Sequence, residues 1–64
     1  MSERYLYVHK VAKRLSCSNR HVYKLIRDGE LTAIRLGTRA LRITESSLES
    51  FVKKNRVDPE EYYE

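Results

Sequence analysis

Three small residues, Ser16-Cys17-Ser18, stand between two amphipathic segments and leave almost no chain for a connection between them. Upstream, Val8 to Leu15 reads V-H-K-V-A-K-R-L, with Val8, Val11, Ala12 and Leu15 at helical spacing and His9, Lys10, Lys13 and Arg14 on the other side. The spacing predicts a short helix without a good N-cap, because Tyr7 stands where Ser, Thr, Asp or Asn is preferred. Downstream, Ser18 is placed to cap a second helix over Asn19 to Asp28, and Gly29 can close it in the left-handed conformation. Two helices therefore meet across a very short turn.

That is the spacing of a helix-turn-helix unit. A rotation of about 100° per residue puts Val22, Leu25 and Ile26 of the second helix on one stripe. It gathers Arg20, Lys24 and Arg27 within about 60° of one another on the opposite face, with Tyr23 and His21 flanking them. From Leu31 to Ile43 the period changes to two, which predicts a small β-hairpin around Gly37-Thr38-Arg39. With Ile34 and Leu36 packed inward against Leu41 and Ile43, Arg35 and Arg42 share the outer face and Arg39 sits at the tip. Thr44 is placed to cap a third helix with Glu45 in its first turn, Ile43 and Leu48 as a hydrophobic staple, and Lys53-Lys54 at its end. Leu48, Phe51 and Val52 form its expected buried stripe. The expected fold class is mainly α with a small β-hairpin: a winged helix-turn-helix of α-turn-α, two-stranded wing and third helix. Residues 1–54 make that domain and 55–64 an acidic C-terminal tail. Asp58-Pro59-Glu60-Glu61 is a plausible helix start within the tail, and Tyr5 and Tyr7 are expected to cover the edge of the core.

The chain of 64 residues leaves little interior for a substrate pocket with its supporting shell. No carboxylate pair, Ser/His/Asp set or phosphate-cradling Gly loop points to catalysis, so the expectation is a protein that is not an enzyme. The single Cys has no disulfide partner in the chain, and with His9 and His21 it does not make a set of zinc ligands. No cofactor, metal or small-molecule effector is expected. Cys17 reads as a small core residue beneath the turn, with redox sensing a distant second. A free thiol without an apolar export or membrane segment predicts a cytoplasmic location.

The formal net charge of +4 is unevenly placed. Residues 1–44 carry ten Lys/Arg against three acids, a net of +7, whereas residues 45–64 carry three against six, a net of −3. Basicity confined to one part of a chain points to a polyanion, because lysines and arginines neutralise phosphates and release counterions. Solubility is the plain alternative for such charge. For the hairpin arginines the alternative is edge-strand protection.

The run L-Y-V-H-K-V-A-K-R-L-S-C-S-N-R-H-V-Y-K-L-I-R-D-G-E-L-T-A-I-R-L-G, followed by R-A-L-R-I-T-E-S-S-L-E-S-F, resembles the excisionase-type, MerR-like DNA-binding domains of phages and mobile elements. The resemblance spans about residues 6 to 53 and is most specific in Val22 to Leu31, Ile34 to Gly37, Arg42-Ile43 and Ser47 to Phe51. The chain departs from the pattern at Lys10, which replaces an acid, at Leu41, where the wing often carries a large aromatic, and at Ser16-Cys17, which replace a common Gly and aliphatic.

The resemblance implies that the second helix enters the major groove and that the wing reaches the adjacent minor groove or backbone. Arg20 and Lys24 then approach base edges, Arg suiting guanine and Asn19 suiting adenine through paired hydrogen bonds. His21, Tyr23, Arg27, Arg35 and Arg42 suit phosphates, with Thr38 beside them in the wing and Arg39 the candidate for minor-groove entry. Arg42 has Glu45 and Glu49 as alternative partners. Tyr62 and Tyr63, flanked by acids, are either a disordered end or a partner contact.

The function these features predict is that of a small sequence-specific double-stranded DNA-binding protein of excisionase type, which binds and bends DNA near a recombination site. Its expected partners are an integrase or recombinase, or further copies of itself in tandem, and no membrane. A transcriptional regulator of a mobile element or host genes is the second reading. A protein-interaction module that has lost DNA binding is the third.

Overall fold

The computed structural model describes residues 3–38 and 40–57. The elements run β1 (Tyr5–Tyr7), α1 (Val8–Leu15), α2 (Asn19–Arg27), β2 (Ala33–Arg35), β3 (Leu41–Thr44) and α3 (Glu45–Lys54). This is the winged helix-turn-helix plan, with one strand more than its two-stranded wing requires. β3 is central in an antiparallel sheet of order β1-β3-β2.

Each helix begins and ends for a local reason. Tyr7 gives α1 no side-chain cap, and the helix stops where Ser16 turns left-handed at φ 55°, its N–H donating to the carbonyls of Ala12 and Lys13. A side chain in that region costs roughly 1–2 kcal/mol. Ser18 starts α2 by accepting a hydrogen bond at Oγ from the His21 N–H, 3.1 Å. The helix ends at Arg27, one residue before the expected boundary, and Gly29 takes φ 81°. Thr44 Oγ1 accepts from the Ser47 N–H at the start of α3, 3.3 Å. The same turn is capped from a distance: the Glu3 carboxylate accepts from the Ser46 N–H at 3.0 Å and from the Ser46 hydroxyl at 2.9 Å.

The core is built from Val8, Val11 and Ala12 of α1, Val22 and Leu25 of α2, Leu31, Ile43 of β3 and Leu48 of α3. Val11, Val22 and Ile43 are fully buried. Full burial of an aliphatic side chain contributes roughly 1.5–3 kcal/mol, so these few residues supply much of what holds the fold. Cys17 packs half-buried against this cluster.

β1 is a strand that the sequence pattern does not predict. Its three residues pair Tyr5 with Thr44, Leu6 with Ile43 and Tyr7 with Arg42. Leu6 turns toward the core, while Tyr5 and Tyr7 stay about half exposed instead of covering its edge.

The phase of β2 also corrects the sequence reading. Ala33 lies opposite Ile43, Ile34 opposite Arg42 and Arg35 opposite Leu41. Directly opposed residues of antiparallel strands share a face. Ala33 therefore points inward with Ile43, Ile34 does not, and Arg35 and Arg42 lie on opposite faces of the sheet. Leu31 sets this phase. Its N–H and that of Glu30 both donate to the Leu25 carbonyl, at 3.2 and 2.8 Å, which draws Leu31 into the core before the strand begins. Two residues on, Ala33 shares that inward phase, whereas Arg35, near the strand end, is exposed and so is Leu36.

A second correction concerns α3. Leu48 is buried and Phe51 half-buried, but Val52 is 52% exposed. It lies in a shallow groove with Arg14, Glu49 and Arg56.

Candidate nucleic-acid interface

Val22 and Leu25 hold one side of α2 against the core, which forces the other side outward. Ser18, Arg20, His21, Tyr23, Lys24 and Arg27 line a shallow depression along that outward side, and Asn19 is exposed at its first turn. The six α2 residues expected from sequence to meet DNA are thus presented together from one helix. Lys24 Nζ donates to Asp28 Oδ2 at 3.3 Å, a solvent-exposed pair of the kind that contributes little to stability. Among the described residues neither Arg20 nor Arg27 forms an ion pair. Positive charge with solvated donors is what a phosphate or a base edge displaces water to meet.

The wing candidates divide. Arg35 Nη1 donates to the Thr38 carbonyl at 3.3 Å, which curls the guanidinium around the β2–β3 loop beside the exposed Thr38. Arg39 lies outside the described residues, as do Tyr62, Tyr63 and the segment Asp58-Pro59-Glu60-Glu61.

Arg42 is elsewhere. Its guanidinium stacks 4.0 Å from the Tyr7 ring centroid while Nη1 donates to the Leu41 carbonyl at 3.0 Å. Glu45, one of its expected alternative partners, pairs instead with Arg14 at 3.8 Å. The Tyr7 and His9 rings lie 5.3 Å apart, extending the stack onto α1. Tyr7 is the residue that reading by sequence missed. Only the β1–β3 register reveals it, and a three-residue strand is too short to announce a period.

The entry to the wing is bonded to the end of α2, to α3 and to β3. Beyond the Leu25 carbonyl, the Thr32 N–H donates to Ser47 Oγ at 3.1 Å and the Thr44 N–H to the Thr32 carbonyl at 3.0 Å. The far end of α3 is tied to the same place, with Lys54 Nζ 3.4 Å from Glu30 Oε1.

Among the described residues no helix is long and apolar enough to cross a membrane, and no group of three or more His, Cys, Asp or Glu is placed to hold a metal ion. A tight helical pair with a cationic outward face on its second helix, followed by a wing, is the architecture of a DNA-binding protein. A family model described as a helix-turn-helix domain matches residues 5–56, and the chain belongs to that family, which includes excisionase-like DNA-binding domains. Among curated proteins, none matches the chain significantly.

Proposed function

We propose that the protein is a non-enzymatic, excisionase-type DNA-binding factor that recognises double-stranded DNA by sequence and bends it near a mobile-element recombination site, biasing an integrase toward excision. The observation that carries this reading is the outward side of α2, where Arg20, Lys24 and Arg27 stand together opposite the buried Val22 and Leu25.

In the major groove Arg20 addresses guanine O6 and N7, and Asn19 addresses adenine N6 and N7, each through two hydrogen bonds. Lys24 reaches a base edge from the next turn. Tyr23, His21, Arg27 and Arg35 hold phosphates, which fix position without reading sequence. Thr38 and Arg39 carry the wing toward the minor groove. Arg42 takes a different part from the one its charge implied: stacked on Tyr7, it holds the wing's inner strand to β1.

A module of this size covers roughly 600–1,000 Å² of DNA-facing surface and binds modestly alone, so adjacent copies or a recombinase contact complete the assembly.

Selection of bound duplexes from a random pool, followed by footprinting and gel analysis of circularly permuted fragments, tests the proposal. The expected result is a recurring motif, a footprint long enough for neighbouring copies, a bend, and a log–log salt slope near −5 for about five or six phosphate contacts. A salt-independent affinity, or no binding to any duplex at low salt, overturns it. A single unbent operator within a promoter would assign the chain to transcriptional regulation instead.

A further inference from the structure

A second cationic surface stands apart from α2. Lys10, Lys13 and Arg14 are neighbours at i, i+3 and i+4 on α1, on the side away from the buried Val8, Val11 and Ala12. Arg14 shares its shallow groove with Lys53, in the last turn of α3, and with Arg56 just beyond that helix. All five are exposed, and among the described residues Arg14 alone of them has an ionic partner, Glu45 at 3.8 Å. Counting Glu49, which lines the same groove, two carboxylates stand against five cations, a net of +3.

Direction separates this strip from the outward side of α2. The buried residues of α1 and α2 belong to one core, and in each helix the cations stand on the side away from it. The two cationic surfaces thus face different sides of the domain, although Arg14 lies only four residues before Ser18, the cap of α2.

The chemistry of the strip selects its ligand. A protein interface is organised around apolar and aromatic anchors, whereas this groove offers a single aliphatic side chain, Val52. Phosphates require charge and not apolar area, and they displace water from exposed Lys and Arg donors of this kind.

We propose that the α1–α3 strip holds the phosphate backbone of DNA flanking the segment seated on α2, and that the duplex curves toward the protein to reach it. The proposal rests on the reading of α2 as the DNA-contacting face, and it supplies a device for the bend. Curving a duplex has an elastic cost, which further backbone contacts offset. The flank of a bound duplex is already tethered near the strip, whereas a second duplex must be drawn from solution. Backbone contacts carry no sequence information, so the strip adds affinity and shape without changing which bases are read.

The test uses duplexes of about 15 and about 40 base pairs, roughly one and a half and four helical turns. Each carries one copy of the selected site, and the full-length protein is held at one copy per duplex. The longer duplex is expected to bind roughly five- to twentyfold more tightly at low salt, with a log–log salt slope steeper by about 2 to 3, as two or three further phosphate contacts require. Energy transfer between its labelled ends reports the bend. Amide NMR shifts that differ between the two complexes are expected at Lys10, Lys13, Arg14, Lys53 and Arg56. In a full-length variant carrying Lys10→Gln, Lys13→Gln, Lys53→Gln and Arg56→Gln, with Arg14 kept for its pair with Glu45, the two duplexes bind within about twofold of each other and the bend falls. Equal affinities of the parent for both lengths overturn the proposal. So do amide differences that miss the strip, even where the variant binds more weakly, because lower net charge alone weakens binding to any duplex. Co-retention of two differently labelled short duplexes by the parent but not by the variant assigns the strip to a second duplex and overturns its contact with the flank. A separate variant, Arg20→Ala with Lys24→Ala and Arg27→Ala, isolates the underlying reading. If that change leaves affinity for the short duplex untouched, α2 is not the DNA-contacting face, a failure distinct from loss of the length effect.

Discussion

The guanidinium of Arg42 lies 4.0 Å from the centroid of the Tyr7 ring and joins the central strand to β1 on the sheet face opposite Ile43. A half-exposed contact of this type contributes about 0.5–1 kcal/mol. Tyr7→Leu and Arg42→Ala are each expected to destabilise the domain, with a coupling of about 0.5–1 kcal/mol in a double-mutant cycle followed by urea unfolding. Zero coupling would mean that the stack carries no energy.

Ser16 holds a left-handed conformation that favours glycine, with φ 55°. Ser16→Gly is expected to raise stability by roughly 0.5–1 kcal/mol, read as a higher denaturation midpoint. Gly29, at φ 81°, behaves in the opposite sense: Gly29→Ala costs about 1 kcal/mol although open space surrounds the added methyl. Gly37 has neither a positive φ nor a near neighbour, so the same change there is close to neutral.

Two aliphatic residues, Ile43 and Val52, should respond very differently. Ile43 is fully buried beneath Leu6 and Ala33, and Ile43→Ala is expected to cost about 2–5 kcal/mol, enough to unfold much of a domain whose total stability is only about 5 kcal/mol. Val52 is 52% exposed, so Val52→Ser stays within about 0.5 kcal/mol of the parent. Circular dichroism at growth temperature separates the two.

Charge on α2 divides by task. Arg27→Ala is expected to weaken binding to all duplexes alike and to flatten the log–log salt slope by about 0.9, the signature of one lost phosphate contact. Arg20→Ala should cost about 1–3 kcal/mol on the selected site and relax the preference at one base pair. Competition binding against single-base variants of the site distinguishes these outcomes.

Much of this molecule is legible in its sequence because its signals are local. Ser18 before an amphipathic run and Gly29 after it mark α2, and the same periodicity that buries Val22 and Leu25 exposes Arg20, Lys24 and Arg27. What is not legible depends on contacts distant in sequence. Alternation from Ala33 to Arg35 defines two faces without saying which is inner. That choice falls to Leu31, through a hydrogen bond to Leu25. β1 is invisible until β3 supplies its partners, and with it the stack of Arg42 on Tyr7. Val52 shows the limit of periodicity in a helix at the domain edge, where the expected stripe is wider than the surface that covers it.

The Leu25 carbonyl accepts from two successive residues at the end of α2, and Ser47 locks the entry to β2 onto α3. With the proposed placement of α2 and wing on DNA, this short hydrogen-bonded connection sets a preferred distance between helix and wing. The DNA binds best when it brings two points on the duplex to that separation. One base pair inserted between the helix-read and wing-read positions both lengthens the gap and rotates one point around the duplex axis, so such a site should bind more weakly than the parent even with every contacted base intact.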